Sequence, residues 1–241
     1  MAEDPAFPQT RWTLLKVLRD GSAEEAQSAL ETLCSAYWFP LYVYARSRGL
    51  KEFDAEDSVQ SFFAHVLRRE LFARAEKGRG RLRWFLLSAY ERFRINEWRR
   101  SHAGSNGVVV EWPLRVSAEE AEQRYLQNTT DGEDAFTLFN REWARNLLER
   151  CLDDLRKEHE ADGLAERFEA LASVMLGSSL EGEPARLAEK LGMSQVAFRQ
   201  ALYRLRRRYR EKIEAELALI LGTTDQEVIR NEMQELCKSF D

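Results

Sequence analysis

The 241-residue sequence has few of the residues that interrupt helices. It contains 5 Pro and 12 Gly, whereas Leu, Ala, Glu and Arg dominate the composition. A chain so rich in strong helix formers and so poor in helix breakers argues against a β-sandwich or a barrel. At roughly 100 to 200 residues per domain, the length allows one or two domains. We therefore predict an all-α fold made of two small helical domains.

Cysteine and histidine are also scarce, and their spacing indicates neither a disulfide nor a metal site. Cys34, Cys151 and Cys237 are far apart and have no histidine near them, so we expect three ordinary thiols. The chain has no HExxH, no paired thiols and no Gly-rich phosphate loop. We predict a protein that is not an enzyme, with no catalytic residue, no metal and no cofactor.

Long apolar runs are absent as well. No stretch approaches the roughly 18 residues of a membrane span, and the first residues, MAEDPAFPQTRW, carry acids where a signal peptide carries bases. These features predict a protein of the reducing cytoplasm that has no membrane as a partner.

Two basic segments stand out in a chain whose net charge is −5. Residues 78–102 hold seven Arg and two Glu, a local charge of +5, and residues 184–213 hold nine Lys and Arg and two Glu, a local charge of +7. Clustered cations in an acidic chain are typical of surfaces that meet a nucleic acid.

The apolar residues recur at helical spacing on both sides of an acidic stretch that contains Gly, Asn and Pro. We interpret that stretch as a linker, with room for a short helix over 117–126. The predicted organisation is a first domain at 7–102, the linker at 103–136, a second domain at 137–222 and an amphipathic helix within 223–241. The apolar face of this last helix is predicted to comprise Val228, Ile229, Met233, Leu236 and Cys237.

The segment DAEDSVQSFFAHVL predicts one helix of the first domain. Asp54 suits the N-cap position, and the acids that follow suit the first turn because the helix dipole favours negative charge there. The apolar stripe of this helix is predicted to comprise Val59, Phe62, Phe63, Val66 and Leu67. We expect Phe62 and Phe63 to be core residues.

The second basic segment, PARLAEKLGMSQVAFRQALYRLRRRYREKI, has the pattern of a helix-turn-helix. A short helix ends at Gly192, which readily adopts the left-handed conformation, and Ser194 caps the basic helix that follows. Leu187, Ala188 and Leu191 are predicted to point inward from the first helix. The predicted buried stripe of the second helix comprises Phe198, Ala201, Leu202, Leu205, Tyr209 and Ile213.

The remaining side chains of the second helix are the candidate DNA-binding residues. A recognition helix enters the major groove by its N-terminus, so Gln195, Arg199 and Gln200 suit base edges and the later cations suit phosphates. The full predicted set comprises Ser194, Gln195, Val196, Arg199, Gln200, Tyr203, Arg204, Arg207 and Arg208. A basic, solvated helix of an ordinary bundle is the alternative interpretation of this segment taken alone.

Almost the whole chain resembles the extracytoplasmic-function group of bacterial RNA polymerase sigma factors, and within it the lone-standing planctomycete type. The similar segments are FPQTRWTLL, AYWFPLYVYARSRGL, DAEDSVQSFFAHVL, KGRGRLRWFLLSAYERFRINEWRR, LFNREWARNLLERCLDDL, LGMSQVAFRQALYRLRRRYREKI and EVIRNEMQEL. The resemblance implies a first domain that binds the polymerase clamp and opens promoter DNA, and a second domain that binds the upstream promoter element. Its implied partners are core RNA polymerase and promoter DNA, and it leaves room for an anti-sigma factor or a kinase.

The resemblance also implies site residues in the first domain. The polar face of the DAED helix, Asp54, Glu56, Asp57 and Gln60, would dock on polymerase. The segment from residue 77 to residue 100 would hold the downstream promoter element, where unstacked bases use aromatic platforms and the backbone uses cations. The residues implied in this second role are Arg79, Arg81, Arg83, Trp84, Arg92, Arg99 and Arg100. Tyr90 and Trp98 are further aromatic candidates, and helical spacing with Phe85, Leu86, Ala89 and Phe93 equally suits a core position for each aromatic.

Two other kinds of protein fit part of the pattern. A helix-turn-helix regulator that does not bind polymerase would leave the DAED helix and the first basic segment unexplained, and such regulators usually dimerise on palindromes. A sigma-like adaptor that binds polymerase but no promoter would have an eroded recognition helix, whereas the basic helix here is intact. We therefore expect a sigma factor.

Overall fold

The computed structural model describes residues 11–67, 82–101, 118–129, 132–177 and 183–240, which form α-helices joined by turns, with no strand among them. The predicted all-α class is therefore confirmed. The helices are α1 (Arg11–Asp20), α2 (Ala23–Ser47), α3 (Glu52–Leu67), α4 (Leu82–Ser101), α5 (Ala118–Asn128), α6 (Ala135–Ala161), α7 (Ala165–Met175), α8 (Glu183–Lys190), α9 (Gln195–Leu221) and α10 (Gln226–Lys238).

The chain forms two compact units. Unit 1 comprises Met1–Arg145 and Ala218–Asp241, and unit 2 comprises Asn146–Leu217. Residues 137–145 and 218–222, which the sequence pattern grouped with the second domain, thus belong to unit 1. One reason is that Phe139 of α6 is buried against Tyr44 of α2, with 6.5 Å between the ring centroids.

Aromatic side chains dominate the core of unit 1. Phe62 of α3 is fully buried between Tyr90 and Phe93 of α4, at centroid distances of 5.3 Å and 5.7 Å. Phe63, Val59 and Val66 are buried as well, so the predicted stripe of α3 is confirmed for these residues. The side chain of Leu67 lies outside the described part.

The start of α3 differs from its predicted position. The helix begins at Glu52, and the amide of Ala55 donates to the carbonyl of Lys51 at 2.8 Å. Asp54 therefore lies in the first turn, and its predicted role as the N-cap is wrong. The prediction of an acidic first turn is confirmed, since Glu52 and Asp54 both lie there.

Within the stretch interpreted as a linker, residues 118–128 form helix α5, close to the short helix for which the sequence left room. Glu122 holds this helix in unit 1, because it accepts from Arg46 Nε at 2.8 Å and from the hydroxyl of Tyr42 at 2.6 Å. Ala121 is buried beneath it, and Arg46 also lies over the ring of Tyr125 at 5.0 Å. Residues 103–117 lie outside the described part.

The predicted helix near the C-terminus is α10, which Asp225 caps by accepting from the amide of Glu227 at 2.9 Å. Ile229 and Leu236 are buried, as predicted. The prediction was wrong for Val228 and Cys237, which are exposed. Their place on the buried side is taken by Glu232, a polar residue with 2% exposure, because an arginine of α4 reaches it inside unit 1.

Unit 2 is built on a compact apolar cluster shared by α6, α7, α8 and α9. Tyr209 of α9 adds a polar link, because its hydroxyl donates to the carbonyl of Leu148 at 2.9 Å. The buried members of the cluster are Leu152, Leu155, Phe168, Leu171, Ala172, Ala188, Phe198, Ala201 and Leu205. This cluster fixes which face of α9 turns inward.

Candidate nucleic-acid interface

A tight turn after α8 sets the start of α9. Gly192 has a φ of +63°, and its amide donates to the carbonyl of Glu189 at 2.9 Å. The amide of Met193 donates to the carbonyl of Ala188 at 2.8 Å. This pair of bonds is a Schellman motif, which needs a residue that tolerates positive φ at the position of the glycine. The predicted left-handed role of Gly192 is confirmed.

Ser194 caps α9. Its hydroxyl oxygen accepts from the amide of Ala197 at 3.2 Å, and its carbonyl accepts from the amide of Phe198 at 2.9 Å. The side chain satisfies one of the first amides of the helix, which have no partner within it. The predicted cap is confirmed, and it leaves the first turn of α9 at the surface of unit 2.

The inward face of α9 agrees with the predicted stripe. Phe198, Ala201, Leu205 and Ile213 are buried, and Leu202 and Tyr209 are half-buried. Leu187, Ala188 and Leu191 of the preceding helix and turn also pack on the cluster. The opposite face of α9 therefore meets solvent.

Every residue predicted to bind the upstream element lies on the exposed part of unit 2. Ser194, Gln195, Val196, Arg199, Gln200, Tyr203, Arg204, Arg207 and Arg208 all have exposed side chains. A subset of them lines one shallow surface recess along α9. The lining residues are Val196, Arg199, Gln200, Tyr203, Arg204 and Arg207.

The cations of α9 differ in how they are neutralised. Arg208 donates to Glu158 of α6 at 2.9 Å, and Lys212 contacts the same carboxylate at 2.9 Å. The hydrogen bond from Lys212 is the main reason that the pKa of Glu158 is lowered. Arg207 pairs with Glu211 at 3.3 Å along the helix. Positive charge near the C-terminal half of the helix is thus partly neutralised by carboxylates of the protein itself.

The first turns of α9 keep their positive charge. Arg199 and Arg204, which lie in the first three turns, have no carboxylate partner within the described part of the chain, and Arg199 donates to the carbonyl of Gln195 at 3.4 Å. The arrangement offers an amide, guanidinium groups and two exposed apolar side chains on one helical face. Such a face suits the edges and phosphates of a nucleic-acid duplex.

The first basic segment is less available than the sequence suggested. Arg83, a predicted DNA-binding residue, has 6% exposure, pairs with Glu232 and lies over the ring of Trp143 at 4.3 Å, so little of its side chain is accessible to DNA in this structure. Arg92 is exposed, as a DNA contact requires. Trp84 is half-buried and stacked on Phe136, with 4.4 Å between the centroids.

Of the other aromatic and basic candidates in this segment, one is a core residue and the side chains of the rest lie outside the described part of the chain. Tyr90 is fully buried, and burial raises the pKa of its hydroxyl to about 12, so it is a core residue. Arg79 and Arg81 lie outside the described residues, as do the side chains of Trp98, Arg99 and Arg100.

The predicted polymerase-binding face of α3 is accessible. Asp54 and Asp57 are exposed, whereas Glu56 and Gln60 are half-buried and joined by a hydrogen bond of 2.9 Å. Burial raises the pKa of Glu56. Phe53, which the sequence pattern did not single out, has a side chain that is 74% exposed beside these acids. Phe53 thus adds one exposed apolar group to this acidic part of α3.

Sequence reasoning also missed two acidic residues that organise the cations. Glu232 and Glu158 bind arginines that lie far from them along the chain. The only signal for Glu232 was its helical spacing from Ile229 and Leu236, which places it on the buried side of α10. For Glu158, the spacing carried no signal.

Comparisons of the chain with protein-family models, with curated proteins and with solved structures found no match. Within the described helices, none has the length and apolar character needed to cross a membrane. Among the same residues, no cluster of three or more His, Cys, Asp or Glu is placed to hold a metal ion.

Proposed function

We propose that this protein is a sigma factor that binds core RNA polymerase, recognises promoter DNA and directs transcription initiation. The main support for the proposal is that the first turns of α9, which follow the Gly192 turn and the Ser194 cap, are exposed and cationic. In this proposal α8 and α9 act as a helix-turn-helix, and α9 enters the major groove of the upstream promoter element.

The accessible face of α3 supports the polymerase part of the proposal. Asp54 and Asp57 offer negative charge, and Phe53 offers an apolar anchor beside them. Exposed carboxylates repel phosphates, so this face is unsuited to contact DNA. We infer that this face binds a protein partner with cations around an apolar site, which fits the clamp of polymerase.

The experiment combines the purified full chain with bacterial core RNA polymerase. Size-exclusion chromatography should give a complex, and run-off transcription on genomic fragments should give transcripts with defined start sites that polymerase alone does not produce. The polymerase without the chain is the control for non-specific initiation.

The possible outcomes separate the proposal from its rivals. Sequence-specific DNA binding without a polymerase complex would overturn it in favour of a helix-turn-helix regulator. A stable complex that starts no transcripts and binds no specific DNA would overturn it in favour of an adaptor.

A further inference from the structure

Val196 is an apolar side chain on the cationic face of α9. It lies in the first turn of the helix, and its side chain is 59% exposed. Single exposed apolar residues are common on protein surfaces. Val196 differs because polar and charged residues surround it in one recess, which includes Arg199, Gln200 and Arg204.

Helical spacing places these residues along one line. Positions 196, 199, 200 and 203 are three, four and seven residues apart, so their side chains share one face of α9. Val196 is the first of them in chain order, one residue after the helix begins. The first turns of a recognition helix are the part that meets base edges, whereas later residues meet the phosphates.

We propose that Val196 contacts the C5-methyl group of a thymine in the recognised DNA and so determines one base of the site. This inference rests on the proposed function, because it requires that α9 enters the major groove. Thymine alone among the four bases presents a methyl group there. A valine side chain has no hydrogen-bonding group, so it gains from the methyl group and gains nothing from the donors and acceptors of the other bases.

The residues next to Val196 on this face can add preferences for other bases. Arg199 and Gln200 can bind guanine and adenine edges by paired hydrogen bonds. Ordering both side chains around a small apolar contact excludes water from the thymine methyl, which strengthens the apolar contribution.

The test begins with selection of the preferred duplex from a random DNA library by the full chain. Each thymine of the selected site is then replaced in turn by deoxyuridine, which lacks only the methyl group. For the unmodified chain, one replacement should weaken binding about three- to fivefold, as expected for one buried methyl group. Val196→Ala keeps one of the three side-chain carbons of valine, so the same replacement should weaken its binding clearly less than it weakens binding of the unmodified chain.

Two further variants make the result specific. Val228→Ala makes the same chemical change at an exposed valine of α10, and it should keep the full preference for thymine. Tyr203→Ala tests the other exposed apolar side chain of the recess, which is 68% exposed. Circular dichroism confirms that each variant is folded.

Each outcome has one meaning. An undiminished methyl preference in Val196→Ala would overturn the inference, and its loss in Tyr203→Ala would then assign the contact to Tyr203. A selected site at which no thymine responds to deoxyuridine would also overturn it while leaving specific DNA binding intact. Failure to select any sequence would remove the DNA part of the proposed function itself.

Discussion

Arg83 of α4 and Glu232 of α10 form a buried ion pair between residues that are 149 positions apart in the sequence. Arg83 has 6% and Glu232 has 2% of its surface exposed to solvent. The guanidinium group also lies over the rings of Trp143 and Trp84, at 4.3 Å and 4.8 Å from their centroids. One arginine of the first basic segment thus serves to attach α10 within unit 1.

We expect Glu232→Ala to destabilise unit 1 by about 3 to 5 kcal/mol, because it leaves the charge of Arg83 buried without its partner. All 6 Trp of the chain precede residue 146, so tryptophan fluorescence during urea unfolding follows unit 1 alone. Glu235→Ala on the same helix is the control. Its exposed pair with Lys238 should be worth no more than about 1 kcal/mol.

A second variant tests the cause of that loss. The double change Arg83→Met and Glu232→Leu removes both charges and keeps apolar volume, so it should recover most of the stability. Equal unfolding midpoints for Glu232→Ala and Glu235→Ala would contradict the structural role of the pair.

The attachment of α5 should depend on pH through Glu122. Hydrogen bonds from Arg46 lower the pKa of this carboxyl below its ordinary value of 4.5. A lowered pKa in the folded state means that the stabilisation is fully present above the ordinary value and is lost as the pH falls through the folded value. Glu122→Gln should therefore cost about 1 to 3 kcal/mol at neutral pH and progressively less in acid.

Urea unfolding of both proteins at several pH values between 7 and about 3 measures this difference. Glu119→Gln is the matched control, because Glu119 lies on the same helix and is exposed. A cost for Glu122→Gln that stays constant across the range would show that its charge contributes nothing.

The face of α3 can be tested by charge reversal. Asp54→Lys combined with Asp57→Lys should weaken binding to core polymerase at least about tenfold, since like charges would then face a basic partner. The control reverses Glu24 and Glu119, two exposed acids in the first turns of α2 and α5. Both double variants change the net charge equally, and the control loses at least as much helix-dipole stabilisation, because both of its acids lie in first turns.

Size-exclusion chromatography with polymerase, together with circular dichroism, separates lost binding from lost structure. Equal capture of the two double variants would contradict a docking role for α3.

Two arginines of α9 should affect DNA binding in different ways. Arg199→Ala should weaken the preferred site by about 1 to 3 kcal/mol and relax base preference, as should Gln200→Ala. Arg207→Ala should weaken binding to all DNA sequences alike. It should also reduce the salt dependence of the affinity by the equivalent of about one phosphate contact. Fluorescence anisotropy with specific and random duplexes over a range of salt concentrations measures both effects. Unchanged affinity and preference for Arg199→Ala would contradict the proposed docking.

Local features were predictable from the sequence because they depend on neighbouring residues. The Gly192 turn, the Ser194 cap and the inward stripe that includes Phe198 each follow from side-chain types at helical spacing. The same holds for the buried Phe62 and Phe63 of α3.

Features that depend on distant parts of the chain were not predictable in this way. The periodicity of α4 says which side of the helix is apolar, but it does not say that Arg83 meets a glutamate 149 residues later. In the same way, nothing near Arg208 indicates that Glu158 of α6 binds it. A count of cations therefore overstated how many of them are available to DNA.

Unit 1 is made from two stretches of chain, with the whole of unit 2 encoded between them. During synthesis, Arg83 leaves the ribosome 149 residues before Glu232. At about 5 to 20 residues per second, that interval is roughly 7 to 30 s. Unit 2 can fold within it, whereas the ion pair between Arg83 and Glu232 cannot form until α10 has been made. Docking of α10 thus gives unit 1 a folding step that follows the translation of unit 2.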